Sequence, residues 1–163
     1  MRDSAGVDAR RFVSGEYRGY QSMARLTLLL ASALLAASAW AVDLGVSGAW
    51  IRQLPAGVPA GAYFTLANHG QSPAALVAAS SPDYGTVMIH RTVEHGGTAS
   101  MVMLDRVEVP ARGKIEFRPG GYHLMLMRAK RDIKLGAKVP ITLEFADGQK
   151  LTVQFEVRGA GAQ

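Results

Sequence analysis

The stretch "VPITLEFADGQKLTVQFEV", residues 139 to 157, decides the fold. Its two halves alternate apolar and polar residues with a period of two, which is typical of β-strands that bury one face. Asp147-Gly148 lies between them and favours a tight turn. The stretch therefore predicts an antiparallel hairpin whose apolar residues face a core, namely Ile141, Leu143, Phe145, Leu151, Val153, Phe155 and Val157.

The chain from Val42 to this hairpin has the same character. Short alternating runs are separated by Gly, Pro, Asn and Asp, and no long amphipathic helix is indicated. This pattern predicts an all-β sandwich or barrel. Its strands are predicted at residues 46 to 54, 61 to 68, 74 to 80, 85 to 93, 99 to 109, 113 to 118 and 122 to 128.

The N-terminal part has a different composition. In "MARLTLLLASALLAASAWA", residues 23 to 41, a single arginine precedes an apolar run that ends in the small-x-small sequence Ala39-Trp40-Ala41. This order predicts a secretory signal peptide, with Met23 as the true start and cleavage after Ala41. We therefore expect residues 1–41 to be an N-terminal extension and signal, and residues 42–163 to be one periplasmic domain. The apolar run is shorter than the roughly 20 residues of a membrane span, so no stable insertion is expected after cleavage.

Composition excludes several functions. The chain has no cysteine, so the domain depends on its core rather than on disulfides. From Val42 onward, 13 basic residues face 10 acidic ones, and a net charge of +3 gives little support to nucleic-acid binding. Because neither a pair of carboxylates nor a nucleophile motif stands out, we expect that the protein is not an enzyme.

Three predicted strands carry methionine and histidine. In "TVMIH", "SMVML" and "HLMLM", the alternation places these residues on one side and branched aliphatic residues on the other. One interpretation is a methionine-rich core, since methionine fills gaps readily. Buried histidines, however, would leave nitrogens unpaired at about 1–3 kcal/mol each. The alternative is a soft metal site, and its residues are Met88, His90, Met101, Met103, His123, Met125 and Met127.

The donor types indicate the metal. Thioether sulfur is a poor ligand for calcium or magnesium and a good one for Cu(I). Methionine also escapes the disulfide chemistry that would disable cysteine ligands in an oxidising compartment. Cu(I) held by methionines and one or two histidines is therefore the predicted ion.

The spacing of four of these residues is H-x10-M-x21-H-x-M, from His90 to Met125. With "GAWIRQLPAGVPAGAYFTLAN" and "RVEVPARGKIEFRPGGYHLMLM", it resembles the periplasmic copper chaperones called PCuAC. The resemblance implies a cupredoxin-like Greek-key β-sandwich that holds one Cu(I) per chain through His90, Met101, His123 and Met125. It also implies delivery toward the CuA centre of cytochrome c oxidase, with subunit II of the oxidase or a Sco-type protein as the acceptor. Met88, Met103 and Met127 match no obligatory position of the motif.

Two other functions remain open from the sequence. A periplasmic copper buffer or resistance protein would have the same ligands but would sequester the ion. A structural β-sandwich without metal would use the methionines as core.

Overall fold

A computed structural model describes residues 43–55 and 57–162, and they form ten β-strands without a helix. Several strands follow alternating runs of the sequence, most clearly β9 and β10, as the period of two requires. The strands are β1 (Leu44–Arg52), β2 (Ala60–Asn68), β3 (Ala74–Ser80), β4 (Tyr84–His95), β5 (Thr98–Met103), β6 (Val107–Val109), β7 (Lys114–Phe117), β8 (Tyr122–Ala129), β9 (Lys138–Phe145) and β10 (Lys150–Arg158).

The strands form one sheet in the order β5-β4-β8-β7-β2-β1-β10-β9-β3-β6, with β8 also paired to β2. Most neighbours are antiparallel, whereas β1 runs parallel to β10 and β7 parallel to β8. Residues from both halves of this sheet meet in a single buried cluster, so the sheet folds over onto itself as a sandwich. The fully buried members of that cluster include Ile51, Leu66, Leu76, Leu124, Leu126, Ile141, Leu143 and Phe155.

The predicted all-β class is confirmed, and so is the C-terminal hairpin, in which Leu151 lies opposite Leu143 and Val153 opposite Ile141. One predicted strand is wrong. Residues 99 to 109 form two strands, because β5 pairs with β4 at one end of the sheet while β6 pairs with β3 at the other. The chain crosses between these ends at Leu104–Arg106, which continuous apolar patterning did not reveal.

The predicted signal peptide and its cleavage after Ala41 lie outside the described residues. Among the residues that are described, no helix is long and apolar enough to cross a membrane.

Candidate metal centre

The three strands that carry the soft donors are neighbours in the sheet, in the order β5-β4-β8. His90 lies directly opposite His123, and Met88 directly opposite Met125. On its other side, His90 lies opposite Met103. Because residues directly opposite each other in an antiparallel pair project to the same face, one face carries all seven predicted donors. Ile89, Leu124 and Leu126 project to the opposite face and are buried in the core.

His90 is a buried side chain without a hydrogen-bond partner. Only 9% of it is exposed, and both ring nitrogens, Nδ1 and Nε2, are buried without a hydrogen-bond partner. Burial, and then the nearby ring of His123, lower the pKa of His90 below its ordinary value. The imidazole is therefore neutral at pH 7 and keeps a free lone pair, which is the form that binds a metal ion.

His123, unlike His90, has a hydrogen-bond partner for one of its ring nitrogens. Its ring centroid lies 5.8 Å from that of His90, and its Nδ1 lies 3.1 Å from the carbonyl oxygen of Gly121. A carbonyl only accepts, so Nδ1 carries the proton and the lone pair is on Nε2. Metal-binding histidines in proteins commonly donate their second ring N–H in this way. The backbone of Gly121 thus favours the tautomer of the neutral ring whose free lone pair is on Nε2.

The methionines differ in exposure across the face. Met88, Met125 and Met127 are half-buried, whereas Met101 and Met103 on β5 are 59% and 60% exposed. The structure brings His90, His123 and Met125 together, since Met125 is two residues from His123 and diagonal to His90. Met101 lies opposite Thr92, which is two residues nearer the β4–β5 turn than His90. That His90, Met101, His123 and Met125 bind metal stays a prediction.

Two aromatic residues, Tyr63 and Trp50, adjoin the histidine pair. The Tyr63 ring centroid lies 6.5 Å from that of His123 and 4.7 Å from that of Trp50. Both aromatic rings are buried, and the Arg52 guanidinium lies over them, 5.3 Å from Tyr63 and 5.5 Å from Trp50. In the sequence, Gly61 could have indicated that another group comes close to β2 at this point. In the structure, a Cβ at Gly61 would lie 2.6 Å from the Tyr63 hydroxyl. Glycine in a strand often marks such a close approach.

The arrangement supplies neutral donors of two kinds. Two imidazoles with free lone pairs lie beside thioethers that have no proton to lose. In the part of the chain that the structure describes, no three His, Cys, Asp or Glu side chains converge on a point. A single ion on this face would therefore meet nitrogen and sulfur rather than carboxylate oxygen, with the more exposed sulfurs at the edge of the sheet.

Comparisons with known proteins found a family model and two sequence relatives. The family model "Putative lipoprotein LpqE-like" matches residues 44–157. A relative from Leifsonia xyli subsp. xyli (strain CTCB07), "Putative lipoprotein Lxx21020", is 32% identical over 114 residues, which are 69% of this chain and 68% of that protein. "Uncharacterized protein RP573" from Rickettsia prowazekii (strain Madrid E) is 33% identical over 96 residues, 58% of this chain and 53% of that protein.

Solved structures of PCuAC domains have the same architecture. The apo PCuAC domain of PmoF2 superposes with a TM-score of 0.61 over 76% of this chain and 96% of that domain, at 22% identity, and so shows the fold. The solution structure of CuI-DR1885 from Deinococcus radiodurans has a TM-score of 0.57 and 35% identity, covering 78% of this chain and 85% of that protein. The expected cupredoxin-like sandwich is therefore confirmed.

Proposed function

Because the chain belongs to the LpqE-like family, whose model spans residues 44–157, we propose that it binds Cu(I) outside the cytoplasm and passes the ion to an acceptor protein. The observation that carries the proposal is His90, a buried imidazole with neither nitrogen partnered. Leaving such groups unpaired costs about 1–3 kcal/mol each. A metal ion between His90 and His123 would give the lone-pair nitrogen of His90 a partner and remove that part of the cost.

Cu(I) is the ion that fits these donors. Thioethers are soft and uncharged, and Cu(I) accepts them far more readily than a hard cation does. A structural relative at 35% identity, DR1885, was solved in its Cu(I) form. A carboxylate-poor set of imidazole and thioether also disfavours Cu(II), which prefers nitrogen and oxygen in tetragonal geometry.

The proposed ligands are His90, Met101, His123 and Met125, around one ion per chain. Their work is ligand exchange rather than catalysis. The two histidines are held firmly by the sheet, while the edge strand β5 exposes its methionines to solvent. A ligand of the acceptor can therefore approach the ion from the side of β5 and displace a thioether before the imidazoles dissociate from the ion.

The proposed site of action is the periplasm, with no nucleic-acid partner and no stable membrane insertion. The proposed acceptor is cytochrome c oxidase subunit II, at its CuA centre, or a Sco-type protein. The second candidate function is a copper buffer, because the same neutral donor set serves storage as well as transfer. A deletion strain separates the two: loss of oxidase activity at low copper indicates delivery, whereas copper sensitivity with normal oxidase indicates buffering.

Titration of the purified protein with Cu(I), in competition with a chromogenic chelator, tests the proposal. We expect one equivalent for the wild type and a large loss of affinity for His123→Ala. His69→Ala is the matched control, because His69 is an exposed histidine on the loop after β2. The copper proposal is wrong if the wild type takes up no Cu(I), or if His123→Ala binds as tightly as the control.

A further inference from the structure

The strand β5 forms one edge of the sheet, and in the described part of the chain β4 is its only neighbour. All six residues of β5 are exposed, including the large apolar side chains of Met101, Val102 and Met103. Its pairing with β4 is regular and has no bulge. No residue of the strand is charged, and none is proline. An open edge of this kind is a template for pairing with a further strand.

The opposite edge of the sheet, β6, differs in each of these respects. It has only three residues, Val107–Val109. Its central residue, Glu108, forms an ion pair with Arg106, and Pro110 follows the strand directly. Short length, charge and proline are the features by which proteins prevent edge strands from pairing with other chains. The sheet is therefore protected at β6 and open at β5, which indicates that β5 receives a strand.

The β4–β5 hairpin determines which backbone groups of β5 are free. Gly96 and Gly97 connect the strands with φ values of 57° and 78°, the mark of a type I′ turn, and the two residues that flank such a turn are bonded to each other. Bonded and non-bonded pairs alternate along antiparallel strands. In the same alternation, the N–H of Leu104 donates to the carbonyl of Ile89 at 2.8 Å. The N–H and C=O groups that point away from β4 are therefore those of Ala99, Met101 and Met103.

We infer that β5 pairs antiparallel with β5 of a second copy of this chain, about a two-fold axis at Met101. Since only outward-pointing groups can bond, Ala99, Met101 and Met103 must pair among themselves. With the axis at Met101, this residue lies opposite its own copy, and Ala99 lies opposite Met103 of the second copy. This register is the one in which the free groups of all three residues find partners. It closes a dimer with two-fold symmetry, the commonest form of oligomer.

The side chains of β5 suit a second copy of the same strand. Across the axis, Ser100 lies opposite Val102, so no charge faces another, whereas like charges directly opposite would be destabilising. The strand contributes six residues, fewer than the roughly 20–30 a side of a standard interface, so the dimer is reversible and forms as concentration rises. Under the proposed function, pairing covers the edge from which an acceptor approaches, and the monomer is the form open to ligand exchange.

Sedimentation velocity of the purified, metal-free protein, from micromolar to millimolar concentrations, tests the dimer. Two double variants test its register, Ser100→Lys/Val102→Glu and Ser100→Glu/Val102→Glu. The first places opposite charges across the axis and the second places like charges there. Both change the same exposed positions outside the metal centre, so each is the matched control of the other. From the usual strength of cross-strand charge pairs, the dissociation constant of the dimer should fall about two- to thirtyfold for the first variant and rise for the second.

Hydrogen exchange locates the contact. At concentrations where the dimer forms, the amides of Ala99, Met101 and Met103 should exchange more slowly than in dilute protein. A reversible dimer that shifts in opposite directions in the two variants supports the inference. A wild type that stays monomeric at every concentration overturns it, and so does a dimer that responds alike to both variants, because such a dimer uses another surface. Since the protein is metal-free throughout, failure to bind Cu(I) would overturn the proposed function and not the dimer.

Discussion

Replacing His90 with leucine should make the metal-free protein more stable while destroying its affinity for Cu(I). The side chain is 9% exposed, and both of its nitrogens are buried without partners. An unsatisfied buried polar group costs about 1–3 kcal/mol, so removing this imbalance should raise the free energy of unfolding by about 1–3 kcal/mol. Most substitutions of buried residues do the opposite, which makes the expected sign diagnostic.

Urea unfolding of the metal-free proteins measures the effect. With an m-value of about 1–3 kcal/mol/M, the midpoint of His90→Leu should lie roughly 1 M above that of the wild type. The difference should widen as the pH falls below about 6.5, because the unfolded wild type then binds a proton that the folded imidazole, with its lowered pKa, does not. His69→Leu, at an exposed position, should stay within about 0.5 kcal/mol of the wild type.

Adding Cu(I) should reverse the order. At a free concentration 1,000 times the dissociation constant, bound ligand adds about 4.1 kcal/mol to the wild type, which exceeds the expected advantage of His90→Leu, whereas His90→Leu should gain little. A metal-free His90→Leu protein that is less stable than the wild type would refute the reasoning, since His90 would then be stabilising the fold by packing or through a bound water.

Two other perturbations test an ion pair outside the site and a close contact beside it. Asp83 is paired with Arg131 through Oδ1···Nε at 2.6 Å and Oδ2···Nη2 at 2.8 Å, and the hydrogen bond from Arg131 lowers the pKa of the carboxyl. The pair therefore stabilises the fold above about pH 4, and this contribution to the free energy of unfolding decreases at lower pH. In urea unfolding at pH 3, the wild type should lose part of this contribution, whereas Asp83→Asn lacks it at every pH. Gly61→Ala would place a Cβ 2.6 Å from the Tyr63 hydroxyl and force that buried ring, whose centroid lies 6.5 Å from that of His123, to move. We expect a loss of about 1–3 kcal/mol in unfolding free energy and weaker Cu(I) binding, and an unchanged midpoint would show that the ring moves freely.

Much of the site could be predicted because strands alternate strictly. The sorting of Met88 and His90 from Ile89, and of His123 and Met125 from Leu124, follows from the period of two, and the burial of the aliphatic residues agrees with it. The side of the sheet to which a strand residue projects depends on its position along the strand, so it can be predicted from a single sequence.

The pairing of residues between neighbouring strands cannot be predicted from alternation alone. The motif spacing pointed to Met101, whereas the pairing brings Met103 opposite His90, because the turn at Gly96–Gly97 sets the register. The division of residues 99 to 109 between the two ends of the sheet was likewise invisible, since it depends on pairing with β4 and β3 rather than on apolar pattern. Tyr63 was missed for a similar reason, as only the folded sheet brings β2 beside β8.

The route of the chain through the sheet sets the order in which the site is built. The pairs of the β4–β5 hairpin are near in sequence, and contacts of this kind form with less loss of chain entropy than long-range pairs do. His123 arrives only after the chain has travelled to the opposite end of the sheet at β6 and returned through β7. A partly folded chain therefore has thioethers and one imidazole but lacks the second. Under the proposed function, binding of Cu(I) at full affinity therefore requires the completed sheet, and metal binding is coupled to the last steps of folding.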